Sequence, residues 1–167
     1  QVSPTSDKLD YEAELAVVIG RRTSFVSEAD ALKSVFGYAC FNDGSYRDYQ
    51  RKASQWTIGK NFDASGGFGP HLVTPDEIDD PLALNVATYL NGSLHRRNVV
   101  ANMTFRPDFL IAFHSQVMTL LPGDVISTGT PAGVGLGFSP NIYLKPGDVV
   151  ELGIDGLGSS KQTVVAY

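Results

Sequence analysis

The chain has 167 residues, of which 43% are hydrophobic and 19% charged, a composition that predicts one domain with a real core and argues against disorder. Its formal net charge is -5, and no Lys/Arg run exceeds an arginine pair, which argues against a nucleic-acid partner. No apolar stretch approaches the roughly 18 residues of a membrane span and no signal-like segment opens the chain, so we expect a cytoplasmic protein without a membrane partner.

The first predicted element is a strand over residues 9 to 20, LDYEAELAVVIG. At the two-residue period of a strand, one face is wholly apolar, whereas the other begins with Asp10, Glu12 and Glu14 and then turns apolar. Same-face neighbours on a strand lie roughly 7 Å apart, so the two glutamates could lean toward one ion. Without a cation they would repel each other. These residues alone leave open a metal site and the wet end of a half-exposed strand.

A short helix and a second strand are predicted next. SEADALKSVFG, residues 27 to 37, predicts a helix with Ser27 as its N-cap, Asp30 in the capping-box position and Gly37 at its end. Cys40 is the only cysteine, which argues against an internal disulfide framework and suits a reducing compartment. Its place in the apolar run VFGYACF predicts a packed, inert thiol.

The segment NDGSYRDYQ, residues 42 to 50, concentrates polar groups after this apolar run. Taken alone, Asn42-Asp43-Gly44 is a turn signal. Arg47 and Gln50 add groups that could hold a carboxylate-bearing ligand, since arginine is suited to bidentate contact. The residues themselves leave both a plain turn and a ligand site open.

Two later segments are rich in glycine. Lys60 precedes the first, in SQWTIGKNFDASGGFGP, and by itself favours a solvated charge. The second, STGTPAGVGLG at residues 127 to 137, lacks the ending of a phosphate loop and does not fit a dinucleotide motif, which argues against a nucleotide site. Its backbone and the hydroxyls of Thr128 and Thr130 could instead bind a small anion or carboxylate.

Most remaining elements are predicted to be short strands and turns. Asn91-Gly92 predicts a β-hairpin turn, and LLPGDVIS (120 to 127) and LKPGDVVE (144 to 151) each predict a turn followed by a strand. A short turn is expected at residues 74 to 77. A second helix is predicted over RPDFLIAFHSQVMTL, with Pro107 in its first turn and an apolar stripe of Phe109, Leu110, Phe113, Val117 and Leu120. The chain is therefore predicted to be mostly β with few helices.

The residue types restrict the chemistry. The three histidines have no paired spacing, which argues against a zinc site of the His/Cys type. Oxygen ligands from Asp and Glu favour a hard divalent ion, Mg²⁺, Mn²⁺ or Ca²⁺. No G-x-S-x-G elbow supports a Ser-His-Asp hydrolase.

Seven segments in chain order resemble the fumarylacetoacetate hydrolase family, from about residue 7 to the end: DYEAELAVVIG, GYACFNDGSYRDYQ, WTIGKNFD, GPHLVTPDEI, LNG, PGDVISTGTPAGVG and YLKPGDVVE. The resemblance implies a mixed β-sandwich roll with few helices (α+β), formed by one catalytic domain over residues 1-167. It also implies a homodimer and one divalent cation, Mg²⁺ or Mn²⁺ with Ca²⁺ as a further candidate, over which a small-molecule 2-oxo acid chelates.

The resemblance also assigns roles to individual residues. Carried across motif by motif, it implies metal ligands at Glu12, Glu14 and Asp43. It implies that Lys60 is catalytic, and that the substrate is bound by Arg47, Gln50 and Thr130.

The implied activity is hydrolysis of a C-C bond in an acylpyruvate or related 2,4-dioxo acid through a metal-stabilised enolate. One alternative keeps the metal site and gives a decarboxylase of an oxaloacetate-like 2-oxo acid, or a 2-oxo-enoate hydratase or isomerase. Another is a non-catalytic, metal-stabilised binding domain. The alternatives stay open because the sequence does not identify the base that would activate water.

Two departures from the family pattern bear on this choice. Gly44 and Tyr46 stand where many members have an apolar valine and a small alanine, which predicts an altered pocket wall beside the metal. Members also usually carry an upstream segment and a lid whose His and Glu orient or deprotonate water. Nothing before Asp7 matches that segment, so we expect it to be missing from this chain.

Overall fold

The computed structural model describes residues 1-167. Its ten strands are β1 (Leu9–Asp10), β2 (Ala13–Ile19), β3 (Val35–Asn42), β4 (Ser45–Tyr46), β5 (Gly67–Phe68), β6 (Asn85–Leu90), β7 (Ser93–Val99), β8 (Val125–Ser127), β9 (Val149–Ile154) and β10 (Gly158–Thr163). Its three α-helices are α1 (Glu28–Ala31), α2 (Arg47–Gln50) and α3 (Pro107–Val117). The predicted mostly β fold with few helices is confirmed. No helix combines the length and apolar character that crossing a membrane requires.

Six short 3₁₀ segments complete the regular structure: Leu32–Ser34, Thr57–Lys60, Pro75–Glu77, Pro81–Ala83, Val100–Asn102 and Gly135–Gly137. The turn expected at residues 74 to 77 is confirmed by the third of these. The fourth begins after Asp80, whose side chain accepts a hydrogen bond from the backbone N–H of Leu82.

Two four-stranded sheets pack on each other. Their strand orders are β5-β3-β2-β8 and β10-β9-β6-β7, and β1 and β4 form a separate pair. All of these ladders are antiparallel, and the parallel pairing is confined to an isolated bridge between Val2 and Ala166. β2 packs on β6 and β3 packs on β9, so the core lies between the two sheets.

β2 lies inside its sheet, paired with β3 on one side and β8 on the other. All seven of its residues are buried. A strand covered on both faces is expected to be a nearly continuous apolar run, as this one is from Leu15 to Ile19. The predicted single strand is interrupted at Tyr11 and Glu12, where the chain passes from β1 to β2. The acidic residues therefore lie at a strand junction that is itself buried.

The helix predicted over residues 27 to 37 is wrong beyond its first turns. α1 ends at Ala31, the 3₁₀ turn ends at Ser34, and Val35 already belongs to β3. Pairing with β2 outweighs the local helix signal, as tertiary context commonly does. Gly37 is paired with Val18 inside the sheet. A Cβ there would lie 2.8 Å from the carbonyl oxygen of Val73, so this glycine permits close strand approach and does not end a helix.

α3 begins at Pro107 as predicted, but it packs through a different face. Its buried residues are Pro107, Ile111, Ala112 and Ser115. Phe113 and Val117, which were expected in the packed stripe, are 50% and 68% exposed. The small side chains of Ala112 and Ser115 allow close packing against the α1 segment, where the Ser115 hydroxyl accepts a hydrogen bond from the backbone N–H of Val26.

The other local predictions are confirmed. β6 and β7 form a hairpin around Asn91-Gly92, and both residues have positive φ, as a two-residue hairpin turn requires. β8 and β9 each follow a Pro-Gly turn. Cys40 is free and buried, in the middle of β3.

Candidate active site

The antiparallel register of β2 and β3 brings the first acidic groups together. Ala13 is paired with Asn42, so the residue before Ala13 lies across from the residue after Asn42. These residues are Glu12 and Asp43, and the backbone N–H of Asp43 donates to the carbonyl oxygen of Glu12 at 3.0 Å. The side-chain oxygen of Asn42 accepts a hydrogen bond from the backbone N–H of Glu12. The strand pairing itself thus fixes two of the predicted metal ligands.

Glu12, Glu14 and Asp43 form a carboxylate cluster. One oxygen of each lies within 4.8 Å of the others. Both glutamates are buried and Asp43 is half-buried. Buried carboxylates at this spacing repel each other and hold a hard cation well, so the donor set fits a divalent metal ion.

Glu14 is bound by the end of β8 and the loop that follows it. Its Oε2 accepts hydrogen bonds from the Ser127 hydroxyl and from the backbone N–H of Gly129, the latter at 3.0 Å. Burial, helped by the negative charges of Glu12 and Asp43, raises the pKa of Glu14 to about 7 despite the lowering effect of the two hydrogen bonds. A cation beside this carboxylate would favour its ionised form and so oppose that shift.

Lys60 contacts two members of the carboxylate cluster. Its Nζ donates to Glu12 Oε2 at 2.5 Å and to Asp43 Oδ2 at 2.7 Å. Burial opposes the charge of the ammonium group, but the hydrogen bonds to Asp43 and Glu12 outweigh burial and raise the pKa of Lys60. The side chain is 19% exposed, so the isolated reading as a solvated lysine is wrong.

Arg47 and Gln50 lie behind Glu12. They occupy the first and last positions of the one-turn helix α2, three residues apart and therefore on one side. Arg47 Nη1 donates to Glu12 Oε1 at 2.6 Å and to Gln50 Oε1 at 3.0 Å. Arg47 is buried, and its Nη2 has no hydrogen-bond partner. One guanidinium nitrogen, Nη2, therefore remains without a partner, while Nη1 holds Glu12 and Nε holds another carboxylate, that of Asp10.

Asp10 is a site residue that the sequence did not single out. It is fully buried, and each of its oxygens accepts two hydrogen bonds. Oδ1 accepts from the backbone N–H of Tyr11 and Gly135, and Oδ2 accepts from Arg47 Nε and the backbone N–H of Leu136. Its position on one strand face with Glu12 and Glu14 was the available signal. Asp10 ties the arginine behind the cluster to the second glycine-rich loop.

Thr130 lies in that glycine-rich loop, one residue beyond Gly129. It is half-buried and lines a cavity of about 340 Å³ together with Gly129. No hydrogen bond joins it to Arg47, Gln50 or Lys60. The structure therefore brings six of the seven predicted residues into one bonded or closely spaced group, and places Thr130 at its edge through Gly129 and Glu14.

The two residues that depart from the family pattern, Gly44 and Tyr46, pack against neighbouring segments. Tyr46 is fully buried and stacks on Phe62 at 4.0 Å between ring centroids, and its hydroxyl donates to the carbonyl oxygen of Gln1. A Cβ at Gly44 would lie 1.9 Å from the carbonyl oxygen of Ser65. Both residues thus serve packing with neighbouring segments, and the expected change of the pocket wall stays a prediction.

The charges of the group are consistent with a divalent cation. Four carboxylates, those of the cluster and Asp10, face the two cationic side chains of Lys60 and Arg47. With all four ionised, two negative charges remain unbalanced. A doubly charged ion held by Glu12, Glu14 and Asp43 would balance them.

Comparison with known proteins gives a consistent family match. The sequence profile described as Fumarylacetoacetate (FAA) hydrolase C-terminal matches residues 1–165. A Burkholderia cenocepacia relative, whose name proposes a hydrolase and no substrate, is 48% identical over 95% of this chain. This chain spans 57% of that relative's length.

Solved structures of similar fold carry names from two reaction classes. A fumarylacetoacetate hydrolase from Exiguobacterium antarcticum is 41% identical, with a TM-score of 0.93 over 97% of this chain and 58% of its own. A fumarylpyruvate hydrolase from Pseudomonas aeruginosa, in complex with Mn²⁺ and pyruvate, is 28% identical, with a TM-score of 0.89 over 99% and 70%. A 2-hydroxyhepta-2,4-diene-1,7-dioate isomerase from Mycobacterium marinum is 39% identical, with a TM-score of 0.86 over 96% and 60%.

Proposed function

The chain belongs to the fumarylacetoacetate hydrolase family, and we propose from this premise that it is the metal-binding part of a hydrolase that cleaves a C-C bond in an acylpyruvate or related 2,4-dioxo acid. The observation that carries the proposal is the carboxylate cluster of Glu12, Glu14 and Asp43 with the Lys60 ammonium against it. A lysine held at the edge of a metal site suits a reaction in which negative charge grows on oxygen.

Glu12, Glu14 and Asp43 would hold the cation, with Mg²⁺ or Mn²⁺ as the proposed ion and Ca²⁺ as a further candidate. When bound, such an ion supplies Lewis-acid polarisation of a 2-oxo group and of the oxygen that becomes negative on cleavage. The remaining groups of the site are contributed by the chain itself.

Lys60 would act on the same oxygen charge. Its ammonium group is fixed by two carboxylates and stays protonated, since its pKa is raised by them. A preorganised donor of this kind stabilises a developing oxyanion more than the ground state. We assign Lys60 the role of the catalytic cation.

Arg47, Gln50 and Thr130 would orient the substrate. Arg47 Nη2 is a buried donor without a partner, and a substrate carboxylate would satisfy it. Gln50 holds Arg47 in place through Oε1, and Thr130 belongs to the loop that binds Glu14. Together they would hold a 2-oxo acid across the carboxylate cluster.

Hydrolysis also needs a water and a base. In the balanced reaction, water adds its hydroxyl to the acyl carbon, the C-C bond breaks, and the departing carbon takes up a proton to give pyruvate. We propose that the base comes from a part of the protein outside residues 1-167, as the His and Glu of the family's upstream segment imply.

A second candidate function keeps the same residues without the water. Decarboxylation of an oxaloacetate-like acid, or hydration or isomerisation of a 2-oxo-enoate, also builds negative charge on a 2-oxo oxygen. The 39% identity to an isomerase favours keeping this candidate. A non-catalytic domain remains the third reading, and it predicts that Lys60 is dispensable.

The test is a substrate panel with the full-length protein and Mg²⁺ or Mn²⁺. Acylpyruvates, oxaloacetate and 2-oxo-enoates are compared by coupled detection of pyruvate and by absorbance of the enol. Pyruvate release from acylpyruvates, lost on chelation, is the expected result. Rapid loss of oxaloacetate without acylpyruvate cleavage would favour the decarboxylase, and no turnover of any substrate would favour the binding domain.

We also propose a homodimer in the cytoplasm. Phe105, Phe109 and Phe113 stack along and just before α3, with ring centroids 5.0 and 5.9 Å apart, and the exposed rings of Phe105 and Phe113 support association of this apolar surface. Light scattering of the full-length protein tests the dimer, and cell fractionation tests the location.

A further inference from the structure

A cavity of about 340 Å³ begins beside the carboxylate cluster and extends away from it. Its walls come from residues 98-105, which link β7 to α3, from residues 128-132 of the glycine-rich loop, and from core side chains beneath them. Its volume is within the range of small-molecule sites. No side chain of the carboxylate cluster lines this space, which adjoins the cluster through the loop that binds Glu14.

The cavity and the carboxylate cluster share Gly129. Its backbone N–H donates to Glu14, and the same residue forms part of the cavity wall. Its φ is +98°, and a Cβ at this position would meet no atom within 4 Å, so the space beside it is open. Thr130 lines the same cavity, and so does Leu15, which follows Glu14 in β2. A ligand held at the cluster could therefore extend into the cavity.

The cavity wall carries no charge. None of the fifteen lining residues is Asp, Glu, Lys, Arg or His, and eight are hydrophobic. Several of the polar ones are already bonded within the chain: the Thr128 hydroxyl donates to the carbonyl oxygen of Leu15, and Asn102 donates to Asn98. A carboxylate placed here would lose water without gaining a cation, which is costly. An apolar group would gain by leaving water.

Of the three arginines nearest to these walls in the sequence, two face carboxylates and the third packs on the glycine-rich loop. Arg96 lies against Gly133, where an added Cβ would be 1.5 Å from its Nε. Arg97 faces Asp155 at 3.9 Å, and Arg106 pairs with Asp108 at 3.0 Å. None of them lines the cavity.

We propose that this cavity receives the acyl tail of the substrate and selects an uncharged, apolar tail over one that ends in a carboxylate. The inference rests on the proposed function, because it assumes a 2-oxo acid bound at the carboxylate cluster. It narrows the substrate class to acylpyruvates with alkyl or aryl tails. The fumaryl group of the fumarylpyruvate hydrolase's named substrate is the opposite type, since that tail ends in a carboxylate.

The binding test uses two 2-oxo acids that have the same chain length and no cleavable 2,4-dioxo unit, 2-oxooctanoate and 2-oxosuberate. Calorimetry with the full-length protein and Mn²⁺ measures both. We expect 2-oxooctanoate to bind at least tenfold more tightly, and affinity to rise roughly fourfold per added methylene along a series of shorter 2-oxo acids. Equal binding, tighter binding of 2-oxosuberate, or binding of neither acid would overturn the inference.

Substitutions of residues that line the cavity test whether the tail binds there. Met103→Arg places a cation on the lining and should reverse the preference, whereas Met103→Leu, which keeps the volume, should retain it. Phe105→Arg provides a second cation at a position that is 54% exposed, where folding is expected to tolerate it, and far-UV circular dichroism checks all three. If both arginine variants fold and bind the two acids in the wild-type ratio, the tail does not occupy this cavity and the inference is wrong.

Kinetics separate this inference from the proposed function. Hexanoylpyruvate should be cleaved with a higher kcat/KM than fumarylpyruvate, and Met103→Arg should narrow or invert that ratio. If no acylpyruvate is cleaved while 2-oxooctanoate still binds preferentially, the proposed hydrolase activity fails and the apolar tail site is supported. If acylpyruvates are cleaved but fumarylpyruvate is preferred, the activity is supported and the tail site is overturned.

Discussion

The Nζ of Lys60 lies 2.7 Å from Oδ2 of Asp43, although the two residues are 17 positions apart and belong to different segments. The proposed catalytic cation and a proposed metal ligand are thereby held in direct contact. Removing the lysine charge should consequently affect the chemistry at the metal and leave the ion's own ligands in place.

Lys60→Met should lower kcat by roughly 100- to 1000-fold with only a modest change in KM, because the ammonium group acts on charge that grows in the transition state. Metal affinity should be retained, because the variant keeps all three carboxylates and removes a positive charge that repels the cation. Steady-state kinetics and Mn²⁺ calorimetry measure the two effects.

The matched control is Lys33→Met, which removes an exposed lysine paired only with Asp30 and should be kinetically silent. A rise in KM with kcat untouched would make Lys60 a substrate anchor.

Asp43→Asn or Glu14→Gln should weaken Mn²⁺ binding by more than roughly 100-fold, since loss of a ligand should exceed the loss typical of residues behind the ligands. These near-isosteric changes are preferred to Glu12→Ala, which would also leave Arg47 and Lys60 without a shared partner. Calorimetry measures the affinity and circular dichroism the fold.

Asp63→Asn, at an exposed position, controls for loss of one negative charge. Wild-type Mn²⁺ affinity in both folded variants would show that the assigned ligands are wrong.

Asp10→Asn should destabilise the fold by about 3 to 5 kcal/mol, because the buried Arg47 loses one of its two carboxylate partners and an amide NH₂ replaces an oxygen that accepts hydrogen bonds from N–H groups. Urea unfolding of wild type and variant measures the difference. The fraction of the variant that still folds should also show a reduced kcat, because Arg47 and the second glycine-rich loop no longer share the Asp10 carboxylate.

Asp7→Asn makes the same change at an aspartate whose side chain is 86% exposed. Its free energy of unfolding should stay within about 0.5 kcal/mol of the wild type. Equal stability of the Asp10 and Asp7 variants would refute the anchoring role.

Cys40 should resist thiol reagents in the folded protein. Burial raises the pKa of its thiol to about 11, so little thiolate exists at pH 8 and access is blocked. A chromogenic disulfide reagent should detect no thiol in native protein and one per chain after denaturation.

The same shift has a consequence for stability. The unfolded chain releases the thiol proton first, so the free energy of unfolding should fall as pH rises from about 9 toward 11. Cys40→Ala should lack this part of the pH dependence. Rapid labelling of the native protein would contradict the buried assignment.

The sequence predicted the local features that depend on neighbours along the chain. Asn91-Gly92 specifies its own hairpin turn, and Pro107 marks the start of α3 because its missing N–H is not needed there. The residues of the carboxylate cluster could also be predicted, because their motifs resemble those of a known family.

Features that depend on distant partners were not predictable in this way. The role of Asp10 depends on N–H groups 125 and 126 positions away, and no local pattern reveals them. The buried face of α3 was misassigned because Ile111 and Ala112 form an equally apolar side, and only the packing partner selects between the two. Likewise, residues 35 to 37 were predicted to end the first helix, but they belong to β3 because they pair with β2.

The second glycine-rich loop is attached to the first strands at both ends, through Gly129 on Glu14 and through Gly135 and Leu136 on Asp10. Residues 130-134 therefore cross between two fixed points, while residues 98-105 on the opposite wall of the cavity are free of such attachments to the carboxylates. Evolution can alter that opposite wall without moving a metal ligand. Relatives with one reaction centre could thus acquire different tail preferences through a few substitutions in a single connecting segment.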